Sequence, residues 1–191
     1  MSTLFSVTTI LGVLDRYHGA PQANLKRASE LGQKVHGHCL GHLKGLYLPV
    51  PPEVRPFFDA FREWADFAIE KTVAVEVELK DLGLNLIGHA DLVARLKGYK
   101  GEAIIDLKRT AAPPDWIVGM QLAAYEYLWS KERGGKPRLR FALHSTANHK
   151  IHLYPYTRTD DLLRFLEARN LYVYCHNMKG VIYGASSKKD G

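Results

Sequence analysis

GHADLVARLKGYKGEAIIDLKRT, residues Gly88 to Thr110, is the stretch on which the reading of the chain turns. Two apolar runs flank a short, charged, glycine-bearing turn, which predicts paired β-strands over 84–96 and 102–108. Each strand holds one aspartate, Asp91 and Asp106, inside an otherwise hydrophobic run. Strands of this kind bury at least one face, and an unpaired carboxylate there is costly. A turn centred between Gly98 and Tyr99 sets the two aspartates directly opposite each other, with Cβ atoms about 4.5–5.5 Å apart. Two ionised carboxylates at that separation repel by roughly 3 kcal/mol at an effective dielectric of about 20. A divalent cation compensates such a pair, and hard oxygen ligands suit Mg²⁺ or Mn²⁺. Asp106 and Lys108 are two apart and share a strand face. A lysine beside a metal–carboxylate site can orient a water or stabilise charge on a phosphate. Spacing leaves a second reading open, in which Asp106–Lys108 and Asp91–Arg95 are plain ion pairs on a solvated sheet face.

Working outward, TVAVEVEL (72–79) alternates and is β-branched, predicting a third, half-buried strand before the pair. Upstream, Leu25, Ala28, Leu31, Val35, Cys39 and Leu43 recur at helical spacing over 25–44, and 54–71 reads as a second amphipathic helix after LPVPP. Downstream, TAAPPD leads into a helix over about 115–132, which the glycines at 134–135 end. LRFALHS (139–145) and KIHLYPY (150–156) read as a hairpin turning near Ala147-Asn148-His149, and 159–179 as a closing helix with a Thr or Asp cap. This order gives a mixed α/β domain with a central sheet.

The chain of 191 residues suits one domain with a sizeable core, taken as 1–184, with 185–191 as a flexible tail. No apolar run reaches the roughly 18 residues a membrane helix needs. The opening MSTLFSVTTILGVLDRYHG lacks a basic start and a small-residue cleavage site, so no signal peptide is expected. Cys39 and Cys175 make neither a disulfide framework nor a four-thiolate metal site, which points to a reducing cytoplasm. The formal charge of +6 leans toward an anionic partner, of which nucleic acid is the commonest.

GHADLV followed by IIDLKRT resembles the D…DxK signature of the PD-(D/E)xK nuclease superfamily, with Asp106 as second acid and Lys108 as the lysine. The flanking motifs resemble its RecB-type exonuclease branch. A helix with Gly-x-x-x-His (Gly32 to His36) precedes the sheet, a strand carries Glu76 in VEVEL, and Gln-x-x-x-Tyr (Gln121, Tyr125) follows on a helix. FSVTTILG is similar to the opening segment of such proteins. The likeness runs from about residue 5 to 175 and implies a restriction-endonuclease-like αβββαβ core, a central mixed sheet flanked by helices. It implies Mg²⁺- or Mn²⁺-dependent cleavage of DNA, with His36, Asp91, Asp106 and the backbone carbonyl of Leu107 on the metal. Lys108 would position or activate the attacking water. Members with an iron–sulfur cluster use four cysteines, so no cluster is expected here. No GxxxxGK[ST] segment is present, so an unwinding motor would be a separate protein.

Each piece has a plainer reading. His38 and His42, at i,i+4, could hold zinc, but no third ligand is evident. Without the resemblance His36 is an ordinary helix histidine; with it, His36 is the favoured ligand. Gln121 and Tyr125 share a helix face and either line the site or simply pack that helix on the sheet. Glu76 is an additional or second-layer ligand, or the polar side of an alternating strand. Arg109 and Thr110 could contact phosphate; Trp116, Tyr127 and Trp129 are read as core. The expected activity is a DNA exonuclease in recombination or repair, acting on single- or double-stranded ends in a bacterial or phage-infected cell. A recombination or single-strand-binding protein is its expected partner. The alternatives are a catalytically silent nucleic-acid-binding domain, or an endonuclease or RNase with the same site.

Overall fold

The structure, a computed structural model, describes residues 3–14, 22–108, 116–135, 137, 139–145, 148 and 150–186; for 22–26, 28 and 179–186 only the backbone is described. In chain order the elements are β1 (Phe5–Ser6), α1 (Val7–Gly12), α2 (Gln22–Leu43), α3 (Arg55–Ala68), β2 (Ile69–Asp81) and β3 (Leu86–Leu96). β4 (Ala103–Lys108), α4 (Trp116–Arg133), β5 (Leu139–Ser145), β6 (Ile151–Pro155) and α5 (Asp161–Ser186) follow. The six strands form one mixed sheet in the order β1-β3-β4-β5-β6, with β2 on the free side of β3. This is the restriction-endonuclease-like α/β arrangement expected from the sequence.

Local chemistry accounts for the main elements. Pro56 enters the first turn of α3, where its missing N–H costs nothing, and Phe57, Phe61 and Ala65 form one buried stripe. Asp81 closes the β2–β3 turn by accepting the N–H groups of Gly83 (2.8 Å) and Leu84 (3.2 Å) on Oδ1, an aspartate turn. Tyr127 of α4 donates to the other oxygen at 2.6 Å and ties the turn to the helix. Helix α4 is buried almost continuously from Ile117 to Tyr125, as an apolar helix laid across a sheet must be.

Two cores lie on opposite sheet faces. On one, α1, α4 and α5 cover Leu86, Ala90, Val93, Ile104 and Ala142; on the other, α2 and α3 cover Leu92, Ala94, Ile105, Phe141 and Leu143. β4 is flanked by β3 and β5, and its Ile104 and Ile105 are fully buried, one toward each core. The β3–β4 register pairs Leu92 with Ile105, Val93 with Ile104 and Ala94 with Ala103, the turn centre read from the sequence. Beyond Leu92 the two strands part. On the same side of β3, β1 pairs in parallel with Leu86 and Ile87 instead. The sheet is therefore forked between β3 and β4.

Several boundaries shift. The second helix ends at Ala68 rather than 71, because Ile69 already pairs with Leu96 and β2 must be extended to match the eleven-residue β3. The closing helix continues to Ser186, past the expected end at 179 and into the segment read as a tail. β1 and α1 were not foreseen as elements; two strand residues and a six-residue helix carry too little periodicity to read. Trp116 is not core: it opens α4 at 56% exposure, whereas Trp129 is buried. Trp116 lies just before the stretch Ile117–Tyr125 that α4 buries against the sheet. Arg109, Thr110, the TAAPPD segment, Ala147, His149 and residues 187–191 lie outside the described residues, as do the side chains of Leu25 and Ala28.

Arg140 on β5 locks the α4–α5 layer to the sheet. Its guanidinium meets Glu126 of α4 at 3.3 Å and Asp161 of α5 at 3.1 Å, and donates to the carbonyl of Arg158 at 2.6 Å. Burial holds the Asp161 carboxyl above its usual range, against the pull of Arg140. Removing one partner of a buried network strands the others. Arg140→Ala is expected to destabilise the fold by about 3–5 kcal/mol in urea unfolding.

Candidate active site

At the fork lies a cavity of about 320 Å³ lined by Ser6, Thr8, His36, His89, Asp91, Asp106, Leu107, Lys108, Gln121 and Tyr125. Its residues come from both sheet faces. His36 descends from α2, Gln121 and Tyr125 from α4, and the fork lets both reach the same space. Asp91 spans the gap: its Oδ2 accepts the Leu107 N–H at 2.7 Å, in place of the ladder bond lost where the strands part. Its Oδ1 lies 3.0 Å from His36 Nε2. That hydrogen bond raises the His36 pKa against the opposing effect of burial, and the charges of Asp91, Glu76 and Asp106 add to it.

Asp106 is the buried member, 3% exposed. Gln121 Nε2 donates to its Oδ1 at 3.0 Å. Lys108 Nζ stands 2.7 Å from Oδ2 as a counter-ion, and among the described residues no other donor reaches that oxygen. Burial pushes the Asp106 carboxyl up to about 6, although Lys108 pulls it down. Gln121 is the hub, accepting from Lys108 at 3.2 Å on Oε1 and donating to the Tyr125 hydroxyl oxygen at 3.0 Å. Burial also raises the Tyr125 pKa, so the phenol stays neutral.

The positions read from the sequence fall unevenly. His36, Asp91, Asp106, Leu107, Lys108, Gln121 and Tyr125 meet around one cavity. Glu76 does not line it; its carboxylate pairs with Lys44 at 2.6 Å. The two histidines considered for zinc are engaged elsewhere. His38 bonds the carbonyls of Lys34 and Pro49, and His42 packs edge-on against Phe58. Ser6, Thr8 and His89 line the cavity without having been picked out from the sequence. His89 lies two residues before Asp91 on β3, which was the available clue; it is held by Glu78 at 3.2 Å. The serine and threonine, which share a 2.8 Å hydrogen bond, lie in FSVTTILG, whose likeness to the family's opening segment was the available clue.

Gly88 has a steric task. A Cβ there would come within 2.9 Å of the Tyr125 ring and 3.0 Å of Leu128, so only a bare backbone admits the helix at this depth.

The residue pattern has a family counterpart. The model of the PD-(D/E)XK nuclease superfamily matches residues 12–171. The chain belongs to this superfamily. Its members are nucleases that act on nucleic acid and generally use divalent metal ions. No curated protein matches the sequence. Among solved structures, a Eubacterium rectale protein whose exonuclease assignment is itself provisional aligns over 87% of this chain and 81% of its own, at 12% identity and a TM-score of 0.49. Among the described residues no helix is long and apolar enough to cross a membrane.

The donor set fits the ions this superfamily uses: two carboxylates, one imidazole and a neighbouring backbone, all hard or borderline donors. Asp106 Oδ2, met among the described residues by the Lys108 ammonium alone, is consistent with that fit. Among the described residues no three His, Cys, Asp or Glu side chains close around one point. In this arrangement His36 hydrogen-bonds Asp91 and the Lys108 ammonium stands beside Asp106, and an ion would displace these internal contacts.

Two outcomes test the electrostatics and the packing. A carboxyl whose folded pKa exceeds its unfolded one favours folding only when protonated. That contribution fades as pH rises from about 4 to about 6 and leaves a full penalty above. Asp106→Asn should therefore stabilise the chelator-treated protein at pH 8 by on the order of 1–3 kcal/mol, measured by urea unfolding. A loss of stability would mean that the Lys108 pair outweighs desolvation. Gly88→Ala should cost about 1–3 kcal/mol by overpacking against Tyr125.

Proposed function

We propose that this nuclease is a divalent-metal-dependent DNA exonuclease using Mg²⁺ or Mn²⁺. The observation that carries the reading is the buried Asp106 carboxylate at the cavity, with Asp91 across the fork and Lys108 two residues on. His36, Asp91, Asp106 and the Leu107 carbonyl would hold the ion. When bound, it supplies charge neutralisation and an acidified water. Lys108, held by Gln121, is set to orient the attacking water or to meet the scissile phosphate, and hydrolysis breaks the P–O bond to the leaving nucleotide. Gln121 fixes Asp106 and Lys108 relative to each other, and Tyr125 fixes Gln121. Glu76 belongs to the surround rather than to the ligand set.

DNA ends as substrate, recombination or repair as setting, a recombination or single-strand-binding partner and a cytoplasmic location follow from the resemblance to the RecB-type branch. The whole chain up to 184 is read as one such domain. The basic composition, +6 at neutral pH, favours a polyanionic substrate.

Nucleotide release from end-labelled single- and double-stranded DNA, with closed circular DNA and RNA alongside, tests this in Mg²⁺, Mn²⁺ and EDTA. The expected result is metal-dependent release from linear DNA only. It should be lost in Asp106→Ala and reduced roughly 10²–10⁴-fold in Lys108→Ala. Cleavage of circles or RNA would replace the exonuclease reading with an endonuclease or RNase. A folded protein that binds DNA and cleaves nothing would make it a silent binding domain.

A further inference from the structure

Glu76 has a left-handed backbone, φ 48°, in the interior of β2. Among the described non-glycine residues the other positive φ belongs to Asn85, in the β2–β3 turn, where asparagine adopts it readily. A glutamate inside a strand has no such allowance. The conformation is strained and persists only where the surroundings over-determine it.

What lies across the ladder is Asp91. Val75 pairs with Leu92 and Val77 with Ala90, which sets Glu76 opposite Asp91 at a rung where the ladder itself makes no pair. The packing changes phase at this rung. In a regular pleat, residues two apart share a face. Here Val75 packs into the α2–α3 core and Val77 into the α4–α5 core; Leu92 packs into the first and Ala90 into the second. Both strands roll over at the same rung without any slip in register. Asp91 sits on the roll, and its carboxylate crosses to the Leu107 N–H of β4 at 2.7 Å.

We propose that Glu76 is a positioning residue: its left-handed backbone rolls the β2–β3 ladder at the rung of Asp91 and so aims that carboxylate across the fork. The consequence for catalysis rests on the nuclease reading; the placement of Asp91 does not. The Glu76 side chain has a separate attachment, Lys44 at 2.6 Å, with both groups about two-fifths exposed. Half-exposed pairs of this kind contribute little. The backbone, not the carboxylate, is the working part.

Three replacements separate the two. Glu76→Gly and Glu76→Asn accept a left-handed backbone and both remove the glutamate carboxylate, whereas the β-branched Glu76→Val resists it. The readout is hydrogen-exchange protection of the Leu107 amide in metal-free protein, with the amides of Ile104 and Ile105 as references for global opening. In Glu76→Val, protection of Leu107 should fall at least about tenfold with the references unchanged; in the Gly and Asn variants it should stay within about threefold of wild type. Mn²⁺ affinity by calorimetry should fall in the same order. Equal losses in all three variants would mean that the carboxylate itself is needed, and would overturn the proposal. Full protection in Glu76→Val would overturn it as well. Should that variant not fold, Glu76→Ala takes its place, with a loss of at least about threefold expected. A wild-type protein that neither binds Mn²⁺ nor cleaves nucleic acid defeats the nuclease reading and leaves the Leu107 comparison decisive for Glu76.

Discussion

A carboxylate buried in the middle strand of a sheet is the constraint around which this molecule is arranged. Removing an ionised group from water costs several kcal/mol unless a partner compensates. Asp106 sits on β4, whose neighbours are β3 and β5, directly after the fully buried Ile104 and Ile105. Its compensation is assembled from three directions. Lys108 comes from the same strand, Gln121 from the helix above, and Tyr125 braces Gln121 one turn on. That brace needs α4 to lie close to β3, which in turn needs a glycine at 88. The compensation is incomplete, since the Asp106 pKa remains raised.

The fork between β3 and β4 gives that acid company. An unbroken sheet keeps its two faces apart, so a histidine on α2 and a glutamine on α4 could not share a cavity. Where β3 and β4 part, they do. The split leaves backbone groups without ladder partners, and Asp91 satisfies the Leu107 N–H with its own carboxylate. One side chain therefore repairs the ladder and stands beside Asp106. β1, only two residues long, takes the far end of the vacated edge. A fold of this kind accepts a local loss of sheet regularity to gather charge, and the strained backbone at Glu76 belongs to the same compromise.

Much of this was legible in residue order. The alternation of 72–79, the paired apolar runs at 84–96 and 102–108 and the helical stripes on either side were each local patterns, and each became an element. The register of β3 with β4 was legible because a short hairpin leaves little freedom in its turn. Asp91, Asp106 and Lys108 stood out because charges inside apolar strands conflict with burial. His36, Gln121 and Tyr125 were visible only through their resemblance to a family, since their spacing alone suits ordinary helix packing. Trp116 shows the converse error, an aromatic at helical spacing that faces outward.

The sequence by itself determined the element types, the register of the β3–β4 hairpin up to Leu92 and Ile105, and the charge conflict that marks the site, because these follow from residue identity and from separations of a few positions. Only the tertiary structure decided that the sheet forks at Asp91, that Ser6, Thr8 and His89 border the same cavity, and that Glu76 turns away to Lys44. Those facts depend on which distant segments meet across two opposed cores, and contacts between α2, β2 and α4 leave no periodic trace in the order of residues.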